Sequence, residues 1–179
     1  MFHQLQKKNK QNNFILADIH RPENFKYKER LKKIFILLNK YSRHFNMPVY
    51  LINFSRTIAM AKKFNLKYGK IQIIDLMSYK HFLNKQYHSF FLVSDSGTAQ
   101  EEASLFKTPV ITPRDFTERP QSMEYNCSYL FKINNFNNSY KSSIIYLNNI
   151  KSLRIKINSN WLGDGKTALK IIKILKNRI

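Results

Sequence analysis

Cysteine is almost absent from this sequence, and its scarcity limits what the chain can be. Cys127 is the single cysteine among 179 residues, so an intrachain disulfide and a cysteine-based metal cluster are both excluded. A chain without disulfides suits a reducing cytoplasm, which is the compartment we expect. Apolar runs of the roughly 18 residues that a membrane helix needs are also missing, and the opening residues MFHQLQKKNKQNN lack the apolar segment of a signal peptide. We therefore expect no membrane partner.

Acidic residues are scarce as well, with 11 Asp and Glu against 31 Lys and Arg and a formal net charge of +20. Such a charge favours anionic partners, and a nucleic acid is one alternative. The basic residues, however, are scattered over the whole chain instead of clustering with aromatic side chains. We therefore expect no nucleic-acid partner and favour a small anionic ligand. Salt-dependent binding to generic duplex, with no response to a nucleotide, would support the alternative.

Glycine occurs only four times, which draws attention to Gly97 in the stretch 90–103. This stretch begins with four apolar residues, as in a strand buried on both faces, and continues through Ser94, Asp95 and Ser96, which are all good helix N-caps. The helix that follows starts with free N–H groups and the positive end of its dipole, where a phosphate can bind. The alternative is a capped helix start without a ligand, and spacing alone does not separate the two.

Apolar strands alternate with amphipathic helices along the rest of the chain. We predict strands over 14–19, 48–52, 71–74, 90–93, 109–112 and 129–133, and helices over 24–44, 54–64, 78–86, 98–107, 143–151 and 166–177, with a loop over 134–142. This alternation predicts an α/β fold with a Rossmann-like, doubly wound parallel sheet. We expect a flexible lead-in over residues 1–12 and one domain over residues 13–179.

Unusual polar residues follow three of the predicted strands, where ligands of doubly wound sheets bind. They are His20 and Arg21 after the first strand, residues 94–98 after the fourth, and residues 114–120, with Arg119, after the fifth. His20 alone would more often be structural, but its place beside Arg21 favours an anion site. Arg119 is predicted to neutralise phosphate, or else to form a salt bridge with Glu118 or Asp115.

Two adjacent acids, Glu101 and Glu102, lie near this predicted phosphate site and would repel the ligand unless they face something else. A vicinal diol is a natural partner, because an ionised carboxylate accepts two hydrogen bonds. We expect this role for one of the two acids and a solvated helix face for the other.

These segments together resemble the C-terminal half of bacterial non-hydrolysing UDP-N-acetylglucosamine 2-epimerases. The resemblance is carried, in register over about residues 13–176, by IHRPEN at 19–24, SDSGTAQEEA at 94–103, RDFTERP at 114–120 and GDG at 163–165. Many members have Gly-Gly where this chain has Gly97-Thr98, and some branches that act on deoxy sugars have Gly-Thr. Gln121 stands where a glutamate is usual.

The resemblance implies that this chain is the nucleotide-binding domain of a glycosyltransferase-B-type fold. Members of the family interconvert UDP-GlcNAc and UDP-ManNAc, or related 2-acetamido sugars, by eliminating UDP and adding it back. No NAD, metal or other cofactor is implied. By position, Ser96, Gly97 and Thr98 would hold the diphosphate and Glu102 the ribose. Phe82 would lie beside the uracil, Arg21 would help to bind the substrate, and His20 and Arg119 would assist departure of UDP.

The family's acids that move the proton at C2 lie in an N-terminal domain with no counterpart in this sequence. We therefore expect the chain to be inactive alone and expect its partners to be a UDP-sugar, a separate chain that carries the N-terminal half, and a second copy in a homodimer. The alternative is a non-catalytic UDP-sugar-binding subunit or a glycosyltransferase-like donor-binding domain.

Overall fold

Six parallel strands form the centre of the computed structural model, which describes residues 9–177. The strands are β1 Ile15–Asp18, β2 Val49–Ile52, β3 Ile71–Ile74, β4 Phe91–Ser94, β5 Val110–Thr112 and β6 Ser128–Leu130. Their order in the sheet is β3-β2-β1-β4-β5-β6, and every neighbouring pair is parallel. The sheet therefore grows first to one side of β1 and then to the other. The predicted Rossmann-like, doubly wound fold is confirmed.

Helices connect the strands and cover both faces of the sheet. They are α1 Pro22–Phe25, α2 Lys28–Phe45, α3 Ser55–Lys63, α4 Tyr79–His88, α5 Gly97–Leu105, α6 Pro120–Glu124, α7 Phe136–Lys151 and α8 Thr167–Lys176, with short 3-10 turns at Ile133–Asn135 and Asn160–Leu162. Side chains of β1 alternate between the two faces. Ile15 and Ala17 pack with residues of α2, α3 and α7, whereas Leu16 packs with residues of α5. All four residues of β1 are buried, as expected of a strand covered on both faces.

The helix predicted over 24–44 is divided in the structure into α1 and α2. Tyr27 has an extended backbone between them. The single turn of α1 begins at Pro22, and it directs the Asn24 side chain onto the Asp95 carboxylate, 2.9 Å away. The side-chain amide oxygen of Asn24 accepts from Arg30 Nε at 2.8 Å. These tertiary contacts hold the break, and the local hydrophobic pattern, which continues through it, does not reveal them.

The prediction of a loop over 134–142 is wrong, because α7 begins at Phe136. Asparagine and serine suggest a loop, but Ser139, within this segment, and Ser143, just after it, are buried and bonded. Ser143 Oγ lies 2.6 Å from the hydroxyl of Tyr41, and Ser139 Oγ donates to the carbonyl oxygen of Lys132. Packing of this helix against the core outweighs the weak local propensity.

The two ends of the described chain differ in how they contact the body. Residues 9–12 of the predicted lead-in form no helix or strand, but Lys10 Nζ donates to the carbonyl oxygen of Phe106 at 2.5 Å. Residues 1–8 lie outside the described residues. Helix α8 has no buried residue, and its apolar side chains are exposed. Within residues 9–177, no helix combines the length and apolar character needed to cross a bilayer.

Candidate functional site

The sheet reverses its direction of growth between β1 and β4, and the carboxyl ends of these strands lie side by side. Asp18, the last residue of β1, pairs with Ser94, the last residue of β4. In doubly wound sheets the crevice beyond this switch point is where ligands bind. The loops after β1, β4 and β5 meet at this point, as the sequence predicts, and two cavities open here.

The first cavity, which we call the basic lobe, has a volume of about 470 Å³. It contains most of the residues predicted for a diphosphate and one acid beside them. Its lining residues are His20, Arg21, Pro22, Ser96, Gly97, Thr98, Glu118 and Arg119. The structure therefore brings these segments together, while their individual roles stay predictions.

The start of α5 forms one wall of the basic lobe. Ser96 is its N-cap, and the Ser96 hydroxyl accepts from the backbone N–H of Ala99 at 3.3 Å. A methyl group added at Gly97 would meet the Arg119 guanidinium carbon and a Glu118 oxygen only at 4.0 Å. No neighbouring atom of the chain demands glycine here, so the space above Gly97 is open to a ligand that approaches the backbone closely.

The second cavity, which we call the aromatic lobe, has a volume of about 300 Å³ and shares His20 and Ser96 with the basic lobe. Its other walls are mostly apolar and include Phe54, Leu76, Met77, Tyr79 and Phe82. Phe82 is predicted from the resemblance, whereas Phe54, Leu76, Met77 and Tyr79 are not. The signal that could have found them is their place after β2 and β3, at the same edge of the sheet.

Glu102, the predicted ribose acid, is 7% exposed, and both of its oxygens are occupied by the chain's own donors. Tyr79 donates its hydroxyl to Oε1 at 2.7 Å, and Gln86 donates its amide to Oε2 at 2.8 Å. The bond to Glu102 raises the pKa of Tyr79 to about 12. Because Tyr79 also lines the aromatic lobe, a diol that reaches Glu102 from this cavity has to displace the tyrosine hydroxyl.

The arginines of the predicted β5 loop have separate partners. Arg119 Nε is bonded to a carboxylate oxygen of Glu101, which is neither of the two salt-bridge partners considered from the sequence. Arg114 is 2% exposed and donates to both oxygens of Glu118, at 2.6 and 3.0 Å. This bidentate bond lowers the pKa of Glu118 to about 2. Arg114 therefore fixes the loop, while Arg119 lines the basic lobe.

Asp95 joins the loop after β4 to the loop after β1. Its carboxylate is completely buried and accepts from the backbone N–H groups of His20 and Arg21 and from the side-chain amide of Asn24. Burial raises the pKa of Asp95, and the bond from Asn24 opposes that effect. These contacts hold two walls of the basic lobe at a fixed separation.

His20 is also bonded through its side chain. Its Nδ1 lies 2.8 Å from Asp18 Oδ1 and 3.4 Å from Asp95 Oδ1. Ser94 donates its hydroxyl to the other oxygen of Asp18 at 3.0 Å. The hydrogen bond to Asp18 raises the pKa of His20, although partial burial opposes it.

Asp18, His20 and Asp95 place possible metal-ligand atoms within 4.8 Å of one another. Their chemistry does not suit a metal centre, because the donors described above already occupy the oxygens of both carboxylates. A cation would have to replace several of these bonds at once. We interpret the three residues as a hydrogen-bonded network.

The family model for UDP-N-acetylglucosamine 2-epimerase matches residues 2–176 of the chain. A UDP-N-acetylglucosamine 2-epimerase of Methanocaldococcus jannaschii is 33% identical over 172 residues, which cover 90% of this chain and 44% of that protein. The UDP-2,3-diacetamido-2,3-dideoxy-D-glucuronate 2-epimerase of Pseudomonas aeruginosa is 36% identical over 108 residues, which cover 60% of this chain and 30% of that protein. The chain spans about half the length, or less, of these relatives.

Solved structures agree with these matches. The crystal structure of the M. jannaschii enzyme in complex with UDP-GlcNAc and UDP has a TM-score of 0.77 and 31% identity, over 98% of this chain and 47% of that chain. The Neisseria meningitidis enzyme has a TM-score of 0.72 at 20% identity, over 98% of this chain and 48% of that chain, which supports the fold alone. The six-stranded parallel domain corresponds to one half of these glycosyltransferase-B-like epimerase structures. From its sequence and its fold, the chain belongs to the UDP-N-acetylglucosamine 2-epimerase family.

Proposed function

We propose that this chain is the C-terminal, nucleotide-binding half of an epimerase that acts on UDP-GlcNAc or a related 2-acetamido sugar. The observation that carries the proposal is the pair of cavities that meet at His20 and Ser96. One cavity is basic and includes a helix start, which suits a diphosphate. The other is lined by aromatic and aliphatic side chains, which suits a nucleoside. A relative with 31% identity that binds UDP-GlcNAc and UDP supports this choice of ligand.

In this proposal the diphosphate lies in the basic lobe and uridine lies in the aromatic lobe. Ser96 Oγ and the N–H groups of Gly97 and Thr98 face the phosphates, and Arg21 and Arg119 neutralise them. As UDP departs from the sugar, negative charge grows on the diphosphate, and His20 and Arg119 stabilise it. Glu102 takes the ribose once Tyr79 has moved from its oxygen.

The two carboxylates that line the described cavities are poor bases for the proton at C2. Glu118 has a pKa of about 2 because Arg114 is bonded to it, and Asp18 is occupied by His20 and Ser94. Elimination of UDP requires a positioned base at that carbon. We therefore propose that the acids come from the half of the family's length that this chain does not span.

The partner that supplies those acids would be a separate chain or further sequence joined to this one. The apolar face of α8 supports an additional packing partner, since all its residues are exposed, including Leu169, Ile172 and Leu175. A surface of this kind is costly in water unless another surface covers it. We propose that the other half of the epimerase packs here, in preference to a second copy of this chain.

We expect the purified chain to bind UDP weakly, with a dissociation constant on the order of 0.1 mM, and to epimerise UDP-GlcNAc negligibly. Calorimetry measures the first expectation, with uridine and inorganic diphosphate as controls that each fill one lobe. Incorporation of deuterium at C2 of UDP-GlcNAc in D₂O measures the second. Addition of a chain that carries the remaining half should start the exchange. Rapid exchange by the purified chain alone would contradict the proposal that its acids come from elsewhere.

Glu101→Gln is expected to strengthen UDP binding by about three- to tenfold at low salt. In the free chain Glu101 pairs with Arg119, so its carboxylate both competes with the diphosphate for the guanidinium and repels the ligand. Titration of UDP into the variant and the wild type measures the change. Glu124→Gln, on α6, is the matched control and should leave the affinity unchanged. Weaker binding by Glu101→Gln would show instead that the ion pair holds Arg119 in place for the ligand.

A further inference from the structure

The Asp18 side chain lines the aromatic lobe next to His20, which is shared by the two lobes. Its Oδ1 is 2.8 Å from His20 Nδ1, and its Oδ2 accepts from Ser94 at 3.0 Å. Asp18 is 3% exposed, so both bonds are shielded from water. The sequence gives no sign of this contact, because Asp18 reads there as the end of an apolar strand.

Asp95 is the other carboxylate near His20, but its geometry gives it a different role. It is 3.4 Å from His20 Nδ1, and its oxygens accept from the backbone of His20 and Arg21 and from Asn24. Asp95 therefore holds the polypeptide, while Asp18 holds the imidazole ring. A hydrogen bond at Nδ1 also decides which nitrogen is left for the cleft, and that nitrogen is Nε2.

We propose that Asp18 is a positioning residue whose carboxylate accepts a hydrogen bond from Nδ1–H of His20. This bond favours the imidazolium, whose protonated Nε2 then faces an anion in the cleft. This inference rests on the proposed function for the identity of the anion, which is the diphosphate of a UDP-sugar. The part of the inference that concerns the tautomer and charge of His20 does not need the proposed function. It rests only on the geometry of β1, the loop after β1 and the loop after β4.

The charged groups around His20 shift its pKa in opposite directions. Asp18, from β1, and Asp95, from the loop after β4, both raise the pKa of His20, while the adjacent Arg21 lowers it. Across the shared cavities His20 also faces Arg119 and Glu118 of the loop after β5 and Tyr79 of α4, and the Phe54 ring lies 5.0 Å away. Because the pKa in the folded chain is raised, the imidazolium persists above about pH 6.5 and is lost as the pH rises through the folded value.

Asp18→Asn removes the negative charge of Asp18 and nearly preserves the shape of its side chain. The amide oxygen can still accept from Nδ1, but the negative charge is gone. NMR titration of the free chain, with the His20 signal assigned by its loss in His20→Gln, should show the His20 pKa lower by about one unit in Asp18→Asn. The neutral imidazole of the wild type should carry its proton on Nδ1. An unchanged pKa, or a neutral ring protonated on Nε2, would overturn the proposal.

UDP affinity as a function of pH gives a second readout that a purely structural role would not produce. At a pH below the His20 titration midpoints of both proteins, the imidazole is protonated in both, and Asp18→Asn should bind UDP as tightly as the wild type or more tightly, because a negative charge has been removed. Between the two midpoints that NMR measures, the variant should bind about three- to tenfold more weakly, because its imidazole is neutral while that of the wild type is still charged. The ratio of the two affinities cancels the titration of UDP itself. A ratio that does not change with pH would contradict the proposal.

These measurements distinguish a failure of the proposed function from a failure of the role proposed for Asp18. Absence of UDP binding by the wild type at every pH would count against the proposed function, and the NMR titration would still decide whether Asp18 sets the charge and tautomer of His20. Asp75→Asn, an acid after β3 for which no bond to His20 is seen, is the matched control and should leave both readouts unchanged.

Discussion

Asp95→Ala is expected to destabilise the folded chain by about 3–5 kcal/mol, because it leaves buried hydrogen-bond donors without an acceptor. The Asp95 carboxylate accepts from His20 N at 3.1 Å, Arg21 N at 3.0 Å and Asn24 Nδ2 at 2.9 Å, and it is completely buried. The substitution also frees the two loops that form the basic lobe. Chemical unfolding followed by circular dichroism measures the loss as a lower denaturant midpoint.

Asp115→Ala is the matched control for this substitution. Asp115 also follows a strand at the same edge of the sheet, and its Oδ2 is 2.9 Å from Arg30 Nη1, but its side chain is 55% exposed. Because this ion pair is open to solvent on the Asp115 side, its loss should cost only about 1 kcal/mol. Equal losses of stability in the two variants would show that burial does not explain the contribution of Asp95 to the free energy of unfolding.

Arg119→Ala is expected to weaken UDP binding by roughly 10- to 100-fold, in keeping with the approximately 1.5–3 kcal/mol of a hydrogen bond to a charged group. Arg119 lines the basic lobe with Gly97 and Thr98, and we expect a diphosphate to displace its carboxylate partner Glu101. The unfolding midpoint should change little, since the Arg119 side chain is 36% exposed. Calorimetric titration of UDP at low salt measures the affinity.

Arg154→Ala removes the same charge from an exposed position outside both lobes and serves as the control. It should leave UDP affinity within about twofold of the wild type, since only screened, long-range attraction changes. If both variants lose affinity equally, general attraction by the net charge of +20 explains the binding, and the basic lobe does not.

The strands and the doubly wound parallel sheet could be predicted because they follow from simple patterns. Short apolar runs separated by amphipathic helices specify a parallel sheet, and its topology places the residues after β1, β4 and β5 at one crevice. This is why His20, Ser96 and Arg119 line the same cavity. The resemblance to a known family adds the identity of the proposed ligand, which neither spacing nor composition supplies.

The parts that the sequence does not reveal depend on contacts between distant residues. The break between α1 and α2 requires Asn24 to reach Asp95, and the start of α7 depends on packing that is invisible in a run of Asn and Ser. Tyr79 donates its hydroxyl to Glu102, the predicted ribose acid, and no local pattern indicates this contact. In each case a tertiary hydrogen bond outweighs a local preference.

The pairing of β1 with β4 has a consequence for the folding of this chain. The bond between Ser94 and Asp18 joins residues 76 positions apart, and the intervening segment contains α1, α2, β2, α3, β3 and α4. The entropy of closing so long a loop is lost before the contact contributes, so we expect this pairing to form late on the folding pathway. The basic lobe, which needs both strand ends, then comes into existence only near the native state. A ligand of that lobe should therefore slow unfolding and leave the rate of folding almost unchanged.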